Sequence, residues 1–169
     1  MQAKARCDPD PTSHEVMMGE GIVGRAPGIL TTMGLGSCVA LILYDHVNRI
    51  GALAHVLLPA WLQAGNGTMP YLYADSALET LLRDMQERGA ARSSISARLA
   101  GGARMFSSSP DFPCIGDMNV SSIRQLLAEE GISVKGADTG GSYGRTIEFH
   151  LDTGEVIVKI KRLRETTSI

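Results

Sequence analysis

The chain has 169 residues, 44% apolar and 20% charged, with a formal net charge of −2. That length and balance suit one self-sufficient globular domain, and the charge gives no reason to expect nucleic acid or an anionic membrane as a partner. No window approaches the roughly 18 apolar residues of a membrane span, and Met1-Gln2-Ala3-Lys4-Ala5-Arg6 lacks the apolar stretch of a signal peptide.

Residues 1–13 carry charge, two prolines and no periodicity, and read as a mobile tail. From His14 to Val23 the pattern suits a first strand, interrupted by Gly19, Gly21 and Gly24. A second strand is expected over Gly28 to Met33, followed by the glycine-rich turn Gly34-Leu35-Gly36-Ser37. Val39 to Tyr44 is a continuous apolar run, the mark of a strand buried on both faces. Asp45 to Arg49 supplies turn residues, and Ile50 to Leu58 is a second apolar strand stopped by Pro59.

Trp61 to Pro70 reads as a surface loop. The spacing of Tyr71, Ala74, Leu78, Leu81, Leu82 and Met85 predicts a helix over 71–88, with Gly89 as its C-terminal cap. Ile95 to Ala100 is a strand leading into Gly101-Gly102-Ala103. A second helix carries Val120, Ile123, Leu126 and Leu127, with Asn119 as its cap and Gly131 at its end. Ile132 to Ala137 is a short strand. Arg145 to Leu151 and Glu155 to Leu163 then flank Asp152-Thr153-Gly154 as a hairpin. Residues 14–163 are the expected domain and 164–169 a C-terminal tail. Lys159, Lys161, Arg162 and Arg164 read as a solvated sheet edge. Strands in runs, with hairpins at both ends, point to an α/β chain of the α+β kind. Its expected form is a strand-rich, mostly antiparallel or mixed sheet packed by two main helices.

Cys7, Cys38 and Cys114 are widely spaced and odd in number, so neither a disulfide framework nor a zinc knuckle is expected. A cytoplasmic, reduced-thiol protein is the default. Cys38 stands where the glycine-rich turn meets a buried strand. Attack on a carbonyl by a thiolate needs access, a base and donors for the oxyanion, and glycines let backbone N–H groups approach a substrate. Locally a structural cysteine is the commoner case. His55 interrupts Leu53-Ala54-His55-Val56-Leu57-Leu58, where a polar ring must find partners. The short turn between the two strands predicts a hairpin that brings Cys38 and His55 towards each other.

Other constellations are weaker. His14, His46 and His150 have no ligand spacing, so no metal site is expected. Gly34-x-Gly36 lacks the third glycine, the helix and the acidic partner of a dinucleotide site, and there is no Walker lysine. Asp75 and Glu79 suit a solvated helix face. Gly140-Gly141-Ser142-Tyr143-Gly144-Arg145 fits a binding loop or a tight turn equally well.

Taken in order, the motifs resemble the CheD family of chemoreceptor glutamine deamidases. The resemblance runs through Thr32 to Ala40, Gly51 to Pro59, Tyr73-Ala74-Asp75, Gly101 to Phe106, Ile115 to Asn119, and Gly140 to Thr146 with the final hairpin. It implies that Cys38 is the nucleophile, His55 the general base and Thr32 the third triad member, with Gly36 and Ser37 at the oxyanion and substrate site. It implies the α/β sandwich of the cytotoxic necrotizing factor catalytic domain and hydrolysis of receptor glutamine side chains without a cofactor. Glutamate methyl esters present a similar carbonyl. The implied partners are the cytoplasmic helices of chemoreceptors and CheC, a chemotaxis phosphatase. Regulation of CheC without catalysis is the alternative reading. The family often has arginine at the position of Met118 and asparagine at that of Ser142.

Overall fold

The computed structural model describes residues 13–60, 69–105, 114–160 and 165–169. Two five-stranded mixed sheets pack face to face, and two helices cover the outer face of one of them. The covered sheet is built from β2 (Gly21–Arg25), β4 (Val39–Asp45), β5 (Ile50–Val56), β6 (Ile95–Gly101) and β7 (Val134–Thr139), in the order β2-β5-β4-β6-β7. The other contains β1 (Ser13–Glu15), β3 (Ile29–Leu35), β8 (Arg145–His150), β9 (Val156–Ile160) and β10 (Glu165–Ser168), in the order β1-β3-β8-β9-β10. The helices are α1 (Ala74–Glu87) and α2 (Ile115–Glu129).

Sandwiching explains the unbroken apolar runs. Along β4, Leu41 and Leu43 face the helices, while Ala40, Ile42 and Tyr44 face the other sheet. Along β5, Ala52, Ala54 and Val56 join the helix-side core, and Leu53 joins the inter-sheet core. Side chains alternate along a strand, so His55 lies on the inter-sheet face with Leu53.

The folded chain departs from several of the expected elements. The strand foreseen over His14 to Val23 is two strands in different sheets, because the turn at 17–20, with Gly19 at φ +73°, carries the chain across. The first helix begins later than Tyr71: Leu72 O accepts from the amides of Leu57 and Leu58, and Leu58 O accepts from Ala74 N, which holds that stretch extended beside the end of β5. Asn119 is not a helix cap. It is the fifth residue of α2 and fully buried.

The final hairpin forms as expected, with Thr146–Phe149 paired to Val156–Lys159. Glu165–Ser168, foreseen as tail, form β10 and pair with β9. Lys159 is therefore not on a sheet edge, and it pairs with Glu148. Lys161, Arg162 and Arg164, the expected tail over 1–12 and the loop over 61–68 lie outside the described residues.

Candidate active site

β4 and β5 pair with Ala40 opposite His55 and Val39 opposite Val56. Cys38 is one step further out, and its carbonyl continues the ladder to β6 by accepting from Gly102 N at 2.8 Å. On this register Cys38 shares the inter-sheet face with Ala40 and lies diagonally across from His55, a separation that longer side chains bridge. The predicted hairpin thus carries both residues to one end of the sandwich.

Thr32 comes from the opposite sheet. It is fully buried, and its Oγ1 lies 2.9 Å from His55 Nδ1. The same hydroxyl donates its one proton to Val16 O at 2.7 Å. Oγ1 is therefore the acceptor in the contact with the ring, and His55 carries its proton on Nδ1. That tautomer leaves a lone pair on Nε2. Nε2 is buried and has no hydrogen-bond partner among the described residues, Cys38 included. The ring is oriented as a base, and the bond to the thiol is not formed in the resting chain. Catalytic hydrogen bonds are often looser before substrate binds.

Electrostatics keep both groups neutral at rest. Burial lowers the pKa of His55 to about 4 by disfavouring the imidazolium. Burial likewise pushes the Cys38 thiol above its ordinary value, and a smaller opposing effect comes from its own amide hydrogen-bonding the sulfur. A neutral thiol beside a neutral imidazole can react by proton transfer as the nucleophile attacks.

The loop before Cys38 is held from behind. Gly36 O accepts from Ala103 N at 2.8 Å, Ser37 O from Asn119 Nδ2 at 2.9 Å, and Cys38 O from Gly102 N. The amides of Ser37 and Cys38 donate to no carbonyl among the described residues, whereas Gly36 N closes a turn onto Gly34 O at 3.0 Å. Of the loop residues expected at the oxyanion site, Ser37 thus presents an available amide and Gly36 does not. A side chain at Gly36 would instead meet Met105, 2.9 Å from an added Cβ. Gly101 has φ +111°, and a Cβ there would fall 2.2 Å from Cys38 O, so only glycine permits that close ladder.

Asn119 is the residue that sequence reasoning misplaced. Its signal was present: it stands one helical turn before Ile123 and two before Leu127, on the buried stripe of α2. The loop containing Gly140 and Gly141 braces the same end, with Gly140 N donating to Gly101 O and Gly141 O accepting from Arg104 N. Arg145 is buried and grips Asp138 through Nε and Nη2, at 3.1 and 2.7 Å. No group of three or more His, Cys, Asp or Glu side chains able to hold a metal occurs among the described residues.

Comparison with known proteins gives a consistent picture. Residues 57–160 match the family described as "CheD chemotactic sensory transduction". A probable chemoreceptor glutamine deamidase CheD of Caldanaerobacter subterraneus subsp. tengcongensis is 41% identical over 146 residues, covering 85% of this chain and 90% of that protein. One of Moorella thermoacetica is 42% identical, covering 88% and 91% respectively. The chemoreceptor glutamine deamidase CheD of Thermotoga maritima is 39% identical, covering 84% and 88%. Matches of such length leave too little of this chain outside them to omit Thr32, Cys38 or His55, which the family match itself does not reach.

Proposed function

The chain belongs to the CheD family, and on that premise we propose that it is a protein-glutamine glutaminase acting on chemoreceptors through Cys38, His55 and Thr32. The observation that carries the catalytic assignment is the bond between His55 Nδ1 and Thr32 Oγ1, which leaves Nε2 unprotonated at the end of the sandwich that bears the thiol.

In the proposed reaction, His55 Nε2 takes the thiol proton as Cys38 Sγ attacks the carboxamide carbon of a receptor glutamine. The amides of Ser37 and Cys38 receive the oxyanion. The imidazolium then protonates the departing nitrogen, the C–N bond breaks, and ammonia leaves a thioester on Cys38. His55 next deprotonates a water that attacks the thioester. The C–S bond breaks, the imidazolium returns its proton to sulfur, and glutamate is released. A methyl ester would follow the same course with methanol as the leaving group. Thr32 keeps the ring in the reactive tautomer throughout.

A macromolecular substrate agrees with the surroundings. Met17, Met18, Met33, Met69, Met105, Ile115 and Met118 are exposed, and Val47 is the other large apolar residue exposed among the described ones. Met105 packs on Gly36, Met69 lies by Gly19, Gly19 N bonds His55 O, and Met118 adjoins Asn119. Flexible, polarizable methionine surfaces suit varied protein partners. In this proposal they receive receptor helices. Association with CheC is a further part of the proposal, tested by phosphatase stimulation with Cys38→Ala. No helix among the described residues is long and apolar enough to cross a membrane, and a free thiol nucleophile suits the reducing cytoplasm.

Mass spectrometry of a receptor cytoplasmic fragment incubated with the protein tests the activity. Conversion of particular glutamines to glutamate, with ammonia released in equal amount, is expected. Absence of conversion across the organism's receptors would rule the activity out.

A further inference from the structure

Of the three carbonyl anchors behind the nucleophile loop, two are backbone amides and the middle one is a side chain from another element, Asn119 of α2. A peptide unit is planar and trans, so its C=O and N–H point in opposite directions. Holding Ser37 O against Asn119 therefore fixes the direction of Cys38 N–H. That amide draws the pKa of the Cys38 thiol down against the effect of burial and, in the proposed reaction, faces the oxyanion.

The second hydrogen of Asn119 Nδ2 donates to Leu57 O at 2.8 Å, two residues beyond His55. Paired register between β4 and β5 ends at Val39 and Val56, so the next step sets Cys38 beside Leu57. Asn119 thus ties together the two strand ends where they part, one leading to the nucleophile and the other coming from the base.

As packing alone, an amide is costly here. Asn119 is fully buried, and its Oδ1 has no partner among the described residues. A buried, unpaired polar oxygen is destabilising, a penalty that an apolar side chain of similar size would avoid. What an apolar residue cannot supply is two donors on one nitrogen.

We propose that Asn119 is a positioning residue for the amide hydrolysis: its carboxamide nitrogen locks the Ser37–Cys38 peptide to the strand carrying His55. Its catalytic consequence rests on the function proposed above, whereas its effect on the thiol does not.

The test compares wild type, Asn119→Ala and Ile123→Ala, the last a cavity control one turn along α2. Two quantities are read on folded protein: the pH profile of Cys38 alkylation by iodoacetamide, and kcat and KM for receptor-fragment deamidation. Asn119→Ala is expected to move the alkylation profile to higher pH and to lower kcat about 10- to 100-fold with little change in KM. Ile123→Ala is expected to lower Tm while its alkylation profile stays on that of wild type. An Asn119→Ala profile superimposable on wild type overturns the proposal, whatever happens to Tm or kcat. Should Asn119→Ala fail to fold, Asn119→Ser, which keeps one donor, undergoes the same comparison with the same outcomes expected at smaller size. Wild type inactive on every receptor fragment would remove the deamidase reading while the alkylation comparison still decides the role of Asn119.

Discussion

At the scale of single residues, the proposed chemistry depends on which ring nitrogen of His55 holds its proton, and Thr32 decides that. Its hydroxyl gives its proton to Val16 O and is left only an acceptor for Nδ1. Thr32→Val keeps the shape and removes both bonds, so kcat should fall about 10-fold or more and stability by about 1–3 kcal/mol. Thr32→Ser should restore most of the rate. Steady-state kinetics and thermal melts of the two variants check this. The sequence showed these residues unevenly. Cys38 stood out by its glycines and His55 by interrupting an apolar strand. Thr32 carried no local sign, since its partner lies in the other sheet and the contact exists only after the sheets have packed. Asn119 was visible as a polar residue on a helical stripe, but a capping rule claimed it first.

At the scale of elements, the ends of β4 and β5 meet α2 through the Asn119 side chain and the end of β6 meets it by close backbone approach, and together these contacts fix the loop before Cys38. Gly101→Ala would force a Cβ to within 2.2 Å of Cys38 O at φ +111°. Its expected cost is about 2 kcal/mol or more, with displacement of Cys38. Gly131→Ala, at φ +67° with open space around it, should cost only about 1 kcal/mol. Denaturant titration of the two proteins separates strain from collision. Most elements were legible because their period survives burial: β4, β5 and the first arm of the last hairpin matched within a residue or two, and the second arm began within one residue of its expected start. The segment His14 to Val23 did not match, because one left-handed glycine sends the chain to a second sheet without disturbing the apolar pattern. β10 was missed since Glu165-Thr166-Thr167-Ser168 is an exposed edge with no buried face to announce it.

At the scale of the whole molecule, His55, the base of the proposed reaction, is also a liability in acid. The folded pKa of His55 is about 4, below its ordinary 6.5. Between these values the unfolded chain binds a proton that the folded chain refuses. Stability is therefore undiminished above pH 6.5 and falls as pH drops towards 4, by something on the order of 3 kcal/mol from this one group. Thermal melts across that range should show the decline, and His55→Gln should flatten it. The run of strands pointed to sheet packed by two helices and the family resemblance to a sandwich, but which faces meet, and hence that Thr32 reaches His55 across the two sheets, required the folded chain. In the proposed reaction Cys38 performs the hydrolysis, so the decisive measurement is the rate of glutamine conversion in a receptor fragment by Cys38→Ala beside wild type of matched Tm. Conversion no faster than in buffer is predicted; conversion by the variant within 10-fold of wild type would mean that Cys38 is not the nucleophile.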